Sequence, residues 1–307
     1  MAVSCEIIVI LGATASGKSS LAMALARQMR AEILSVDSMQ VYRGMDIGTA
    51  KPTCADQAQV RHHLIDLVNP NEPFTVARFV EAADRAIADA AARGVPLIAT
   101  GGTPLYYKAL FEGLFEGPSA DADLRARLSA LSNEELAGQL RQADPTASNR
   151  IHMNDTRRLI RALEVYELTG KPISSFQTEW AAEQVRHPAT WIGLSWHRDA
   201  LNRRINARVK AMLAAGWLDE TRQLLAAHGP LSQTAAEATG YRELIEHLQG
   251  RMSLHDVVEQ IKIATRQLAR RQMKWFRRFP NVKWMAGDRA VAELMEEIIG
   301  KNAAGKV

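Results

Sequence analysis

Cysteine is scarce in this chain, with Cys5 and Cys54 the only two among 307 residues. They stand far apart without histidines at ligand spacing, which excludes a disulfide framework and a Cys-based zinc site and fits a reducing compartment. Also missing is any apolar run near the roughly 20 residues needed to span a membrane. No basic segment precedes the short apolar run at 7–11, so a secretory leader is not expected either. Neither sign of charge dominates: the net charge of +4 permits a polyanionic partner without demanding one. Internal repeats and low-complexity tracts are absent. What remains, 47% hydrophobic and 23% charged, is ordinary globular composition, long enough for one large domain and a smaller one.

Against this plain background one segment stands out. Gly12-Ala13-Thr14-Ala15-Ser16-Gly17-Lys18-Ser19 follows the apolar run Ile7-Ile8-Val9-Ile10-Leu11 and has the full spacing of a phosphate-binding loop. Glycines at both ends let the backbone amides turn inward on an anion, Lys18 adds a positive charge, and the Ser19 hydroxyl suits Mg²⁺.

Short β-branched runs at 7–11, 32–36 and 96–100 alternate with Ala-rich helical patterns at 18–30 and 76–93. That alternation predicts an α/β fold, a P-loop NTPase-like parallel sheet flanked by helices. Residues 116–119 read as a linker and 121–184 as helices without a strand. Trp191-Ile192-Gly193-Leu194-Ser195 reads as a further strand, followed by C-terminal helices and a frayed end at 302–307. The expected domains are therefore a core at 1–115, an inserted all-helical domain at 116–190, and a return to the core with basic helices at 191–307.

Ligands in such sheets collect at the carboxyl ends of the strands. Asp37 ends the second predicted strand and is either a general base or the cap of a turn, two readings of equal weight at this point. Ala99-Thr100-Gly101-Gly102-Thr103 ends another, where adjacent glycines admit a ligand and Thr103 offers a hydroxyl. No aspartate follows Leu97-Ile98-Ala99, which disfavours a motor or switch-type ATPase; Asp66 is a substitute without a clear place. His62-His63 suit local packing better than metal.

Basic residues cluster outside the sheet. Lys262, Arg266, Arg270 and Lys274 recur at steps of four and are expected on one helical face, running on to Arg277 and Arg278. Arg157, Arg158 and Arg161 form a second cluster, and Arg203, Arg204 and Arg208 a third. Each alone is an ordinary solvated face; together they favour a nucleic-acid backbone. Gly240-Tyr241-Arg242 suits stacking on an unpaired base, although Tyr241 alone reads as core.

The loop 12–19, Asp37-Ser38-Met39-Gln40-Val41-Tyr42, Asp46-Ile47-Gly48-Thr49-Ala50-Lys51-Pro52, His62-His63-Leu64-Ile65-Asp66, Gly101-Gly102-Thr103-Pro104-Leu105-Tyr106 and Thr265-Arg266-Gln267-Leu268-Ala269-Arg270-Arg271-Gln272 together resemble the bacterial tRNA dimethylallyltransferases, over about 7–275. The resemblance implies transfer of a dimethylallyl group from dimethylallyl diphosphate to N6 of the adenosine 3′ of the anticodon, with Mg²⁺. It implies Asp37 as base, with Thr103, Lys18 and Arg208 also catalytic, and residues 12–19 on the diphosphate with Ser19 on the metal. For tRNA it implies Asp37, Ser38, Met39, Gln40 and Thr103 at the base. Arg125, Arg157, Arg158, Leu159, Ile160 and Arg161 would meet the anticodon arm, and Glu237, Ala238, Thr239, Gly240, Tyr241 and Arg242 the loop. Arg266 and Arg270 add charge. Glu237-Ala238-Thr239 departs from the family pattern. A cytoplasmic monomer without membrane contact is expected. The rivals are a small-molecule kinase, an RNA-binding protein with a vestigial loop, and a prenyltransferase acting on free adenine nucleotides.

Overall fold

The computed structural model describes residues 6–113, 117–179 and 185–304. The described chain forms two compact units, 1–111 with 187–307, and 112–186.

The larger unit begins β1 (Ile7–Gly12), α1 (Lys18–Met29), β2 (Glu32–Ser35), α2 (Cys54–Gln59), β3 (His62–His63), α3 (Val76–Ala92), β4 (Leu97–Thr100) and α4 (Pro104–Glu112). The smaller unit carries α5 (Ala122–Ser129), α6 (Asn133–Ala143), α7 (Pro145–Ser148), α8 (Thr156–Thr169) and α9 (Ile173–Glu179). Back in the larger unit follow β5 (Thr190–Ser195), α10 (Arg198–Ala214), α11 (Trp217–His228), α12 (Gln233–Ala236), α13 (Tyr241–Leu248), α14 (Leu254–Phe276), β6 (Lys283–Ala286) and α15 (Val291–Ala304).

All six strands are parallel, in the order β3-β2-β4-β1-β5-β6. Parallel strands buried on both faces need apolar residues at every position, which is why β1 is an unbroken run. Ile7, Val9 and Leu11 point into one core with Phe79, Tyr107, Trp217 and Phe276. Ile8 and Ile10 point into the other with Leu21, Leu25, Leu294 and Ile298. The smaller unit has its own core, including Leu124, Leu136, Leu140, Leu159 and Leu163.

The strand expected at 191–195 is present and pairs with β1. Two strands were not foreseen. β3 spans two residues, too short for a period, and β6 contains no β-branched residue, so a reading of helices alone after 195 fails there. Of the expected linker, Glu116 lies outside the described residues, as does Gln184 at the end of the expected helical stretch. The expected fraying at 302 is not observed up to Ala304, which still belongs to α15; 305–307 lie outside. Among the described residues, no helix is long and apolar enough to cross a membrane.

Candidate active site

The loop between β1 and α1 reverses the chain through backbone that favours glycine: Gly17 has φ 91° and Ala15 φ 64°. Its carbonyls are held from outside. Arg204 Nε donates to Ala15 O at 2.8 Å and Trp196 Nε1 to Ser16 O at 2.9 Å, while the Arg204 guanidinium lies 4.4 Å over the Trp196 ring. Ala13 and Ala15 pack on Ile205 of α10 and Ala269 of α14. With the carbonyls tied back, the first-turn amides of α1 face a cavity of about 350 Å³ lined by Lys18, Ser19, Arg204 and Arg208, among others. Unpaired first-turn N–H groups and the helix dipole suit an anion there.

Two of the amides expected on that anion are already used. Thr14 N–H donates to Gln272 Oε1 at 2.9 Å, and Ser16 N–H to Ala13 O at 3.1 Å. Those two loop amides are thus paired within the protein.

Burial, with the charge of Arg208, lowers the Lys18 ammonium from 10.5 to about 8, and Asp37 opposes that shift. Burial also lowers the Arg208 pKa, again opposed by Asp37. Two cations and one carboxylate therefore share one field.

Asp37 follows β2 and does two things at once. Its Oδ1 accepts from Met39 N–H at 2.9 Å, closing the turn, and its Oδ2 accepts from Gly102 N–H at 3.2 Å. A side chain at Gly101 would put its Cβ 2.0 Å from Val36 O, so glycine is what lets the end of β4 lie against the end of β2. Thr103 Oγ1 accepts from Ser38 N–H at 2.9 Å and donates to Ser38 Oγ at 3.0 Å.

These groups line a second cavity of about 590 Å³. Thr14, Lys18, Ser19, the segment 37–40, Thr103 and Arg208 meet there, with Glu237, Ala238, Thr239 and Tyr241. It also admits residues that the sequence reading did not assign to the site: Thr49, Lys51, Arg271 and Gln272. Gln272 ends the last recognised motif, so a signal was present. Glu220 had none: its carboxylate accepts from the amides of Asp46, Ile47 and Gly48 and from Tyr241 Oη at 2.5 Å, across large sequence separations.

Several expectations need correction. Tyr241 is fully buried against Trp217, so it lines the cavity wall and is not free to stack on a base. Ala238 is 4% exposed. Leu159 lies in the core of the smaller unit, which leaves its side chain unavailable to RNA, while Ile160 is partly buried against that core. Arg125 pairs bidentately with the buried Glu164 at 2.8 and 2.9 Å; Arg161 meets the same carboxylate at 2.6 Å and also donates to Pro118 O. By contrast, Arg158 and Arg242 are exposed, beside Asp155 and Glu243 respectively.

The cationic row on α14 is not one face. Steps of four overshoot a turn by about 40° each, so the row winds from the packed flank into solvent. Lys262 is buried and pairs with Glu259; Arg266 donates to Asn206 at 2.7 Å; Arg270 and Lys274 are exposed. Asp66 pairs with Lys51 at 2.6 Å, as does Asp46. His63 meets Glu32 at 2.7 Å and His62 contacts Val60 O, the local roles expected of them.

The IPP transferase family model matches residues 40–279, and the isopentenyl transferase model matches 5–69. The tRNA dimethylallyltransferase 1 of Citrifermentans bemidjiense is 44% identical over 294 residues, covering 96% of each chain. Among solved structures, the full-length tRNA isopentenylpyrophosphate transferase of Bacillus halodurans superposes with a TM-score of 0.73 at 37% identity, covering 97% of this chain and 96% of that one. A eukaryotic dimethylallyltransferase acting on tRNA superposes with a TM-score of 0.84 at 27% identity, over 98% of this chain and 80% of that one.

Proposed function

The chain belongs to the IPP transferase family of tRNA dimethylallyltransferases, and on that premise we propose that it moves a dimethylallyl group from dimethylallyl diphosphate to N6 of the adenosine 3′ of the anticodon. The acceptors would be tRNAs reading codons that begin with U, and the products N6-dimethylallyladenosine and diphosphate. One observation carries this reading: an anion-binding helix start and a carboxylate, Lys18 and Asp37, line the same cavity of about 590 Å³.

The adenine N6 lone pair is delocalised into the ring, so its proton must leave as the new carbon–nitrogen bond forms. Asp37, held by Met39 and Gly102 amides, is the base that takes it. As the allylic carbon–oxygen bond opens, negative charge grows on the departing diphosphate. The start of α1, Lys18 and Arg208 stabilise that charge. Ser19 is exposed at the first turn of α1 and lines both cavities. No trio of His, Cys, Asp or Glu suited to a metal occurs among the described residues. The Ser19 hydroxyl is a hard oxygen donor of the kind Mg²⁺ takes, so Ser19 would hold Mg²⁺, which would neutralise charge on the leaving group.

The target base must leave its stack, at a cost of about a few kcal/mol that is smaller in an unpaired loop. Arg270 and Lys274, with Arg157, Arg158 and backbone near 159–160 in the smaller unit, would supply compensating phosphate contacts, the enzyme acting as a cytoplasmic monomer. Incubation with labelled dimethylallyl diphosphate, offering unmodified tRNA and AMP in parallel, tests the reading. Label in tRNA supports it; label in AMP alone makes the protein a free-nucleotide prenyltransferase.

A further inference from the structure

Gln272 lies on α14, 5% exposed, in a stripe with Ala269 and Phe276 that pins the helix to the phosphate loop and the core. Its carboxamide spans two other elements. Oε1 accepts from Thr14 N–H at 2.9 Å, and Nε2 donates to Gly102 O at 2.7 Å. The next bond in the chain runs from Gly102 N–H to Asp37 Oδ2 at 3.2 Å.

We propose that Gln272 is a positioning residue for the transfer: its carboxamide sets the spacing between the loop that holds the leaving group and the strand end that holds Asp37. This rests on the reading of Asp37 as base and of the loop as the diphosphate site. The chemistry of the two partners selects the residue type. An amide N–H needs an acceptor and a carbonyl needs a donor, and a carboxamide of this length offers one of each at its two ends at any pH. Glutamate, when ionised, offers acceptors alone; methionine fills the volume and offers neither bond. Both partners are backbone groups, so a shift in either moves the peptide planes that carry the reacting groups. In-line transfer depends on that spacing, because the nucleophile and the leaving group lie on opposite sides of the carbon that moves.

The test is steady-state transfer to unmodified tRNA by wild type, Gln272→Met and Gln272→Glu, each checked for fold by circular dichroism and melting. For Q272M, kcat is expected to fall on the order of 10- to 100-fold, with both KM values within about threefold of wild type. For Q272E, the protonated carboxyl reproduces the donor and acceptor pattern and the ionised one does not. Burial and the neighbouring Asp37 favour the neutral form, whereas Lys18 and Arg271 around the same cavity favour the ionised one. The ratio of Q272E to wild-type kcat is therefore expected to rise as pH falls, a response that mere loss of packing does not give. Wild-type kcat in Q272M together with a pH-independent Q272E ratio overturns the proposal. If Q272M does not fold, the Q272E ratio decides alone. Failure of the wild type to label tRNA at all would overturn the reading of the reaction and this role with it, a result distinct from wild-type kcat in Q272M.

Discussion

Ser38 and Thr103 are joined twice: the Ser38 amide donates to Thr103 Oγ1 at 2.9 Å, and that same hydroxyl donates to Ser38 Oγ at 3.0 Å. One side chain thereby ties the end of β4 to the residue after Asp37. On the proposed reading, Thr103 therefore helps fix where the Asp37 carboxylate stands. Thr103→Val keeps the shape and removes both bonds, leaving a part-buried amide without its acceptor. Its kcat is expected to fall about tenfold or more and its stability by roughly 1–3 kcal/mol, with Thr103→Ser close to wild type in both; parallel kinetics and denaturant melts measure this.

Asp37→Asn retains the oxygen that accepts from Met39 but cannot take a proton from N6. Transfer is expected to drop by about 10²-fold or more, with tRNA affinity, measured by filter binding, within error of wild type. A variant that turned over normally would remove Asp37 as the base.

Lys18 links pH to both binding and stability. Its pKa in the folded chain is about 8, below the ordinary 10.5. Between those values the unfolded chain binds more protons, so the cost of the buried charge is present at neutral pH and is relieved as pH rises through that window. Lys18→Met should therefore melt higher than wild type at pH 7, with the difference shrinking toward pH 10. On the proposed reading the charge serves the diphosphate: donor affinity of wild type should weaken above about pH 8, and the variant should bind roughly 10- to 100-fold more weakly at pH 7. Calorimetry across pH reads both.

Most of the fold was legible because the core strands carry local signals. Ile7-Ile8-Val9-Ile10-Leu11 can be little other than a doubly buried strand, and Gly12 to Ser19 identifies the turn after it. The edge strands were not legible, since β3 spans two residues and β6 depends on β5 for its place. Within the site, Asp37 reads from sequence as either base or turn residue; its Oδ1 closes the turn with Met39 and its Oδ2 accepts from Gly102 N–H. Glu220 was invisible because its partners at 46–48 lie far away in sequence. Lys262 and Leu159 show the opposite error: charge or motif membership suggested RNA, whereas burial decided otherwise.

Among the α14 cations, exposure separates Arg270 and Lys274, the proposed RNA contacts, from the buried Lys262. Arg270→Glu is expected to weaken tRNA binding and lower the slope of log K against log salt by about 1. Lys262→Ala, which removes the ion pair of a buried ammonium with the exposed Glu259, should leave that slope unchanged. Equal slopes for all three proteins would assign the whole helix to structure.

Glu220→Gln weakens the acceptor that holds three consecutive amides and the Tyr241 hydroxyl. The segment 46–48 should loosen, seen as faster amide hydrogen exchange there. Because Gly48 lines the cavity, KM for tRNA should rise more than KM for the donor.

The decisive measurement is mass spectrometry of nuclease-digested tRNA after incubation with the wild-type protein, Mg²⁺ and dimethylallyl diphosphate, with Asp37→Asn in parallel. Wild type should convert the adenosine 3′ of the anticodon to its N6-dimethylallyl form and release one diphosphate per modified base, while the variant leaves it unmodified. Modification at another nucleotide, or equal conversion by the variant, would refute the assignment of loop and carboxylate to leaving group and base.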